Sequence, residues 1–338
     1  MHQHRRRSRA VWLAGAAAVL VIGGVAAAVG AARLPDGEPE PPVAAVDPPP
    51  PRRPDQLTID INPVLGFVTT VRGTDATRQF VSTRDVSPGT GAGGRYAGEV
   101  SAYEPGSFDA APLRDGEVVD VSGHDARYVP EYGFAALSPD DAPHSSPAVG
   151  WADPSGVWLL VYVAPGERAT RDDLIRLAES VTLAPPREVR LPFRLGALPD
   201  RLAVTYVRAN EQADGRGGMV ALSDPRRKAS SAAVYNGAPY GATVSIFAET
   251  PDAEWAAEKR TLTGRRTVAG HPAWYAEGRN MLSPEGNGSA LTVDTGRCVI
   301  RLRTADRTAI SRAELDRTLA EMTIGDCGDP NTWITPLP

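Results

Sequence analysis

Val121-Ser-Gly123-His124-Asp-Ala126-Arg-Tyr128 and Val268-Ala-Gly270-His271-Pro-Ala273-Trp-Tyr275 agree at five of eight positions across an offset of 147 residues. Similarity at that distance means that a whole domain is duplicated, so these two octets decide how the rest of the chain is read. Other matches follow in the same order. Tyr96, Val100, Ser101 and Tyr103 align with Tyr240, Val244, Ser245 and Phe247 at offset 144, and Val68, Thr69, Val71 and Arg72 with Val204, Thr205, Val207 and Arg208 at offset 136. Leu137-Ser138-Pro139 aligns with Leu282-Ser283-Pro284 at 145, and Gly156 with Gly296 at 140. Loop insertions produce this kind of small drift.

Downstream of the octets, the two copies end alike. Thr170-Arg-Asp-Asp173 and Ser311-Arg-Ala-Glu314 each place a hydroxyl three residues before a carboxylate, the arrangement of a capping box. Apolar residues then recur at helical spacing: Leu174, Leu177, Ala178 and Val181 in one copy, Leu315, Leu319 and Met322 in the other. A short strand is expected at Thr182-Leu183 and at Thr323-Ile324. Upstream, Leu57, Ile59 and Ile61 alternate with polar residues, as do Val189, Leu191 and Phe193, while 157–163 and 298–302 are apolar runs bounded by turn residues. An additional helix is expected at 253–259. The fold expected from this is α+β: two tandem antiparallel-sheet domains, 57–185 and 188–327, each closed by its own C-terminal amphipathic helix, with a tail over 328–338. Pro185 and Pro186 mark the boundary.

The N-terminus predicts the compartment. Ala10 to Ala32 is uncharged over 23 residues and follows Arg5, Arg6, Arg7 and Arg9. That is long enough to span a bilayer, and the arginines stay inside. The expected order is a cytoplasmic tail at 1–9, a transmembrane helix at 10–32 and a Pro-rich stalk at 33–56, with the rest outside a cytoplasmic membrane. The alternative is a cleaved signal peptide and a secreted chain. Nine prolines between Leu34 and Asp55 favour an extended stalk, at about 3.1 Å per residue.

The cysteine count suits that compartment. Cys298 and Cys327 are the two cysteines of the chain, and an even count outside the cytoplasm predicts a disulfide. Without the four N-terminal arginines the chain holds 32 basic against 41 acidic residues, a balance that opposes nucleic-acid binding. The motifs of zinc proteases, α/β-hydrolases, phosphate loops and Ser-x-x-Lys enzymes are missing from the sequence. No cofactor and no metal are expected. Gly123, His124 and Tyr128, with Gly270, His271 and Tyr275, form the shared motif. It reads as structural, because no acidic partner of the histidine travels with it: Asp125 becomes Pro272.

From the Gly-His-x-Ala-x-Tyr motif to Asp172-Asp-Leu-Ile-Arg-Leu-Ala-Glu-Ser-Val-Thr-Leu183, each copy resembles uncharacterised extracytoplasmic domains of membrane-anchored Gram-positive, actinobacterial envelope proteins. Some such domains belong to anti-sigma-type or envelope-sensing proteins. The resemblance implies a membrane-anchored binding or sensing module without catalytic activity, with an envelope protein or a small ligand as partner. Nine residues ahead of the apolar segment are too few for a sigma-binding domain. The alternative is an envelope-associated hydrolase or ligand carrier.

Overall fold

The computed structural model describes residues 53–75, 77–87, 95–134, 144–163, 169–196, 201–212, 215–224, 234–235, 238–239 and 241–338. The described residues all belong to one compact unit, 51–338. The expected tail, the helix at 10–32 and most of the stalk lie outside the described residues. Among the described residues no helix is long and apolar enough to cross a membrane.

The first half runs β1 (Gln56–Ile61), β2 (Phe67–Asp75), β3 (Arg78–Asp85), β4 (Arg95–Tyr103), β5 (Glu117–Val121), β6 (His124–Phe134), β7 (His144–Ala152), β8 (Trp158–Tyr162), α1 (Arg171–Glu179) and β9 (Val181–Glu188). The second runs β10 (Phe193–Arg194), β11 (Ala203–Asn210), β12 (Gly217–Ser223), β13 (Val234–Tyr235), β14 (Ala238–Pro239), β15 (Val244–Glu249), α2 (Ala253–Glu258), β16 (Arg266–Val268), β17 (His271–Asn280), β18 (Ser283–Asp294), β19 (Val299–Thr304), α3 (Arg312–Glu321) and β20 (Thr323–Ile324).

One antiparallel sheet of fourteen strands runs through both halves, in the order β16-β17-β18-β19-β15-β12-β11-β2-β3-β4-β8-β7-β6-β5. This overturns the expected α+β pair of tandem domains, each closed by its own helix. The protein is mostly β, and its halves share a sheet. The reason is the inner edge that each half would otherwise leave open. Alone, β2 and β11 would each present a row of unpaired backbone groups. Pairing the two strands satisfies both rows, with Tyr206 opposite Asp75, Arg208 opposite Gly73 and Asn210 opposite Val71.

Outward from that seam the pairing repeats strand for strand. β2-β3-β4-β8-β7-β6-β5 on one side matches β11-β12-β15-β19-β18-β17-β16 on the other. The octets superpose in the ladder, since Val121 pairs with His124 as Val268 pairs with His271. The match at offset 136 does not superpose. β2 carries a bulge between Thr69 and Val71, and β11 one between Val204 and Tyr206. Aligning the bulges makes Val71 equivalent to Tyr206, one residue short of Val207. A slip of one residue moves a side chain to the opposite face of the sheet. Val71 accordingly packs with Phe80 and Tyr206, whereas Val207 lies in the main core on the other face. The match at offset 144 is out by two residues, since the ladder makes Val100 equivalent to Ile246.

The main core lies on one face. Leu174, Leu177 and Ala178 of α1 and Leu315 and Leu319 of α3 pack there with Val100, Val161, Ile300 and Leu302. Two ribbons, β1–β9 and β10–β20, add Leu57, Ile59, Leu191 and Phe193 to the same core. Burying each of these leucines contributes roughly 1.5–3 kcal/mol. Both capping boxes form, at Thr170 with Asp173 and at Ser311 with Glu314. Ala184 to Arg187, expected to end the first domain, lies inside β9, where the prolines fall at a shift in the register with β1. Cys298 and Cys327 stand at disulfide distance, with 5.3 Å between their Cα atoms.

Candidate functional site

The shared motif is a hairpin with a helix resting on it. Ser122-Gly123 has φ of 52° and 86°, and Ala269-Gly270 has φ of 49° and 82°. These are two-residue turns with both central residues left-handed, which suits the twist of the flanking strands and explains the glycine. His124 and His271 begin β6 and β17, and Ala126 and Ala273 are fully buried in the main core. Tyr128 lies under the guanidinium of Arg171 at 5.8 Å, and Tyr275 under that of Arg312 at 5.0 Å. Both arginines are the first residue of a helix, directly after the capping hydroxyl. Motif and capping box, far apart in sequence, meet as a cation resting on an aromatic face. Asp172 and Asp173 sit at the start of α1, where Asp173 closes the cap. Among the described residues no three His, Cys, Asp or Glu side chains gather as a metal site.

The other face of the sheet carries three smaller clusters. In the first half Leu113, Ala148 and Leu160 pack with Tyr103, Phe108, Phe134 and Trp158. In the second half Trp255 meets Trp274 edge-on, with ring centroids 5.8 Å apart. Between them, Val71, Phe80, Tyr206 and Met219 form the cluster that straddles the seam.

Beside this central cluster, on the first-half side, lies a closed polar network. The Arg78 Nε donates to Asp75 Oδ2 at 3.0 Å, and its Nη1 donates to Ser101 Oγ at 3.2 Å and to Glu99 Oε1 at 3.4 Å. The Tyr162 hydroxyl donates to the same Glu99 oxygen. Burial first, and the Glu99 carboxylate second, push the Tyr162 phenol well above its ordinary pKa. That keeps it a neutral donor. The guanidinium is thus neutralised by two carboxylates from neighbouring strands.

On the second-half side lies a cavity of about 160 Å³, lined by Arg208, Asn210, Gly218, Met219, Phe247, Met281 and Arg303. Its cations lack that compensation. Arg303 donates from Nη1 to the Met281 sulfur at 2.9 Å, and a thioether is a weak acceptor. Neither Arg208 nor Arg303 forms an ion pair among the described residues, whereas Arg301, two residues away on β19, is held by Glu249 and by Glu258 at 2.8 Å. Burial pulls the Arg303 pKa down, and the field of Glu258, from beyond ion-pair distance, opposes it. Ser245 stands directly across the ladder from Arg303 and two residues from Phe247. It is buried, and its Oγ has no hydrogen-bond partner among the described residues.

Comparison with known proteins adds little. No family model matches the chain, and no curated protein does. Among solved structures it is similar to MucB in its crystal structure with MucA(peri), at 13% identity and a TM-score of 0.22, over 77% of this chain and 93% of that one. It is also similar to the MucA/MucB complex of Pseudomonas aeruginosa, at 12% identity and a TM-score of 0.20 over the same shares. At these scores the likeness carries no argument about fold or function.

None of Gly123, His124, Tyr128, Gly270, His271 and Tyr275 lines the cavity. Of the residues that do, Arg208 and Phe247 stand out in the sequence only as repeat matches, and Arg303 lies just past the apolar run at 298–302. One signal was present. Arg301 and Arg303 alternate with Ile300 and Leu302, which puts two cations side by side on the face away from the core.

Proposed function

We propose that the described part of the chain is a binding or sensing module without catalytic activity, held outside the cytoplasmic membrane by the helix expected at 10–32, and that the second-half cavity receives its ligand. The observation that carries this reading is two arginines in the cavity lining, Arg208 on β11 and Arg303 on β19, with no ion-pair partner among the described residues. Both side chains are half-buried, and a half-buried charge without an internal partner favours a compensating group that arrives from outside. The lining supports binding over hydrolysis: its described residues include no Ser, Cys, His, Asp or Glu that could act as nucleophile or general base. Its apolar members, Met219, Phe247 and Met281, suit a ligand with some hydrocarbon surface.

The test is a fragment screen by thermal shift on the full-length chain in nanodiscs, beside a Met281→Trp variant that fills the cavity. Fragments that raise the melting temperature of the native chain should fail to do so with the filled one. Fragments that stabilise both alike would place binding elsewhere and end this reading.

A further inference from the structure

The halves repeat the same ladder, so the strand residues of the cavity, and Ser245 beside them, have counterparts in the first half, found by following the pairing from strand to strand. Gly73 corresponds to Arg208, Asp75 to Asn210 and Phe80 to Met219. Ser101 corresponds to Phe247, Glu99 to Ser245 and Tyr162 to Arg303. Arg78, the buried cation of the first half, corresponds to Gly217, where an added Cβ would come within 2.1 Å of the Ala248 carbonyl oxygen. The same architectural position therefore holds two opposite solutions. In the first half one guanidinium enters and two carboxylates neutralise it. In the second half both carboxylates are gone, replaced by Asn210 and Ser245, while two guanidiniums, Arg208 and Arg303, have come in.

Glu99 is the centre of the first-half network, accepting from Arg78, Ser101 and Tyr162. At its counterpart the second half has a buried hydroxyl with no partner among the described residues, and at the counterpart of Tyr162 a stronger donor whose one described hydrogen bond goes to sulfur. We propose, resting on the binding-module reading, that the cavity is a receptor for a small organic carboxylate, whose acid group supplies the negative charge that Glu99 supplies internally in the first half. A carboxylate matches the planar fork of a guanidinium. The body of the ligand lies on Met219, Phe247 and Met281. At about 160 Å³ the cavity is below the usual range for drug-sized ligands, so the ligand is short, or one short end of a longer acid.

The experiment is calorimetric titration of the full-length chain in zwitterionic nanodiscs with hexanoate, with hexanamide as its neutral counterpart, and with inorganic phosphate. Hexanoate should bind at one site per chain, and hexanamide at least about tenfold more weakly, as expected when a charge-assisted hydrogen bond is lost. Arg303→Met and Arg208→Met should each weaken hexanoate by a similar factor. Ser245→Glu rebuilds the first-half arrangement: it should abolish hexanoate binding while raising the melting temperature of the unliganded chain, which keeps the test decisive where an arginine variant fails to fold. Equal binding of hexanoate and hexanamide, or binding of phosphate without hexanoate, would overturn the carboxylate and leave the binding module standing. Hexanoate binding that persists in Ser245→Glu would overturn the proposed position of the acid group. If none of the three probes binds and no fragment depends on the cavity, both proposals fall.

Discussion

Asp85 shows what a single side chain does here. Its carboxylate is buried at the end of β3, accepts from the Ser87 amide at 2.9 Å and from Arg176 of α1 at 2.7 Å, and so ties the helix to the sheet. Arg176 also donates to Ser87 Oγ at 2.9 Å and lies over the Phe67 ring at 4.9 Å. Burial alone would raise the Asp85 pKa, but the hydrogen bonds from Ser87 and Arg176 outweigh it and hold the carboxyl below its ordinary value. A carboxyl depressed in the folded state adds stability at pH values above its unfolded pKa of about 3.9, and that stability is lost as the pH falls through the folded value. Asp85→Asn should therefore cost about 2 kcal/mol at neutral pH and progressively less as the medium is acidified. Urea midpoints of both chains between pH 7 and pH 3 would show it, and a difference that stays constant down to pH 3 would remove Asp85 from the account. The signal for this contact was half visible. The helix face of Arg176 follows from periodicity, but its partner lies 91 residues away.

The elements that could be read from sequence are those whose causes are local. A hydroxyl three residues before a carboxylate starts a helix because it satisfies backbone donors that have no partner within the helix, and both boxes form as expected. α2 appears at 253–258, capped by Asp252, whose side chain accepts from the Trp255 amide at 2.7 Å. The cysteines join elements as well: Cys298 directly precedes β19, and Cys327 follows β20. Closing a loop of 29 residues in the unfolded chain stabilises the fold by roughly 3–4 kcal/mol in the chain-entropy model. Replacing both cysteines with alanine should lower stability by about that amount, and a reducing agent should depress the melting temperature of the native chain alone. Equal effects of the reductant on both chains would mean that the bond contributes nothing. What local rules could not say is where an element ends up. Pro185-Pro186 reads as a stop, yet β9 passes through it, because prolines lack only the donor and a register shift absorbs that loss.

Residues 51–338 are built around one fourteen-stranded sheet. Seven strands from each half meet at β2 and β11, paired about Gly73 and Arg208 as two copies of a symmetric dimer would be, here joined in one chain. Residues 51–338 should accordingly unfold in a single transition seen alike by fluorescence and near-UV circular dichroism. Proline at Thr74 and Val207, which face each other at the seam, should split that transition in two by removing ladder donors there, whereas Val207→Ala, which trims the same main-core side chain but keeps the donor, should only lower it. Two separated transitions in the native chain would contradict the shared sheet. By itself the sequence determined the duplication, the capped helices and the cysteine pair, because each is written in residues close together or in outright identity between copies. Only the tertiary structure decided that the copies share a sheet, which residues correspond, and that Arg208, Ser245 and Arg303 come together on one face. Strand pairing carries no local signature, and a strand slipped by one residue keeps most of its letters in agreement while turning every side chain to the wrong side. The cavity therefore stayed out of sight until the ladder itself aligned the halves.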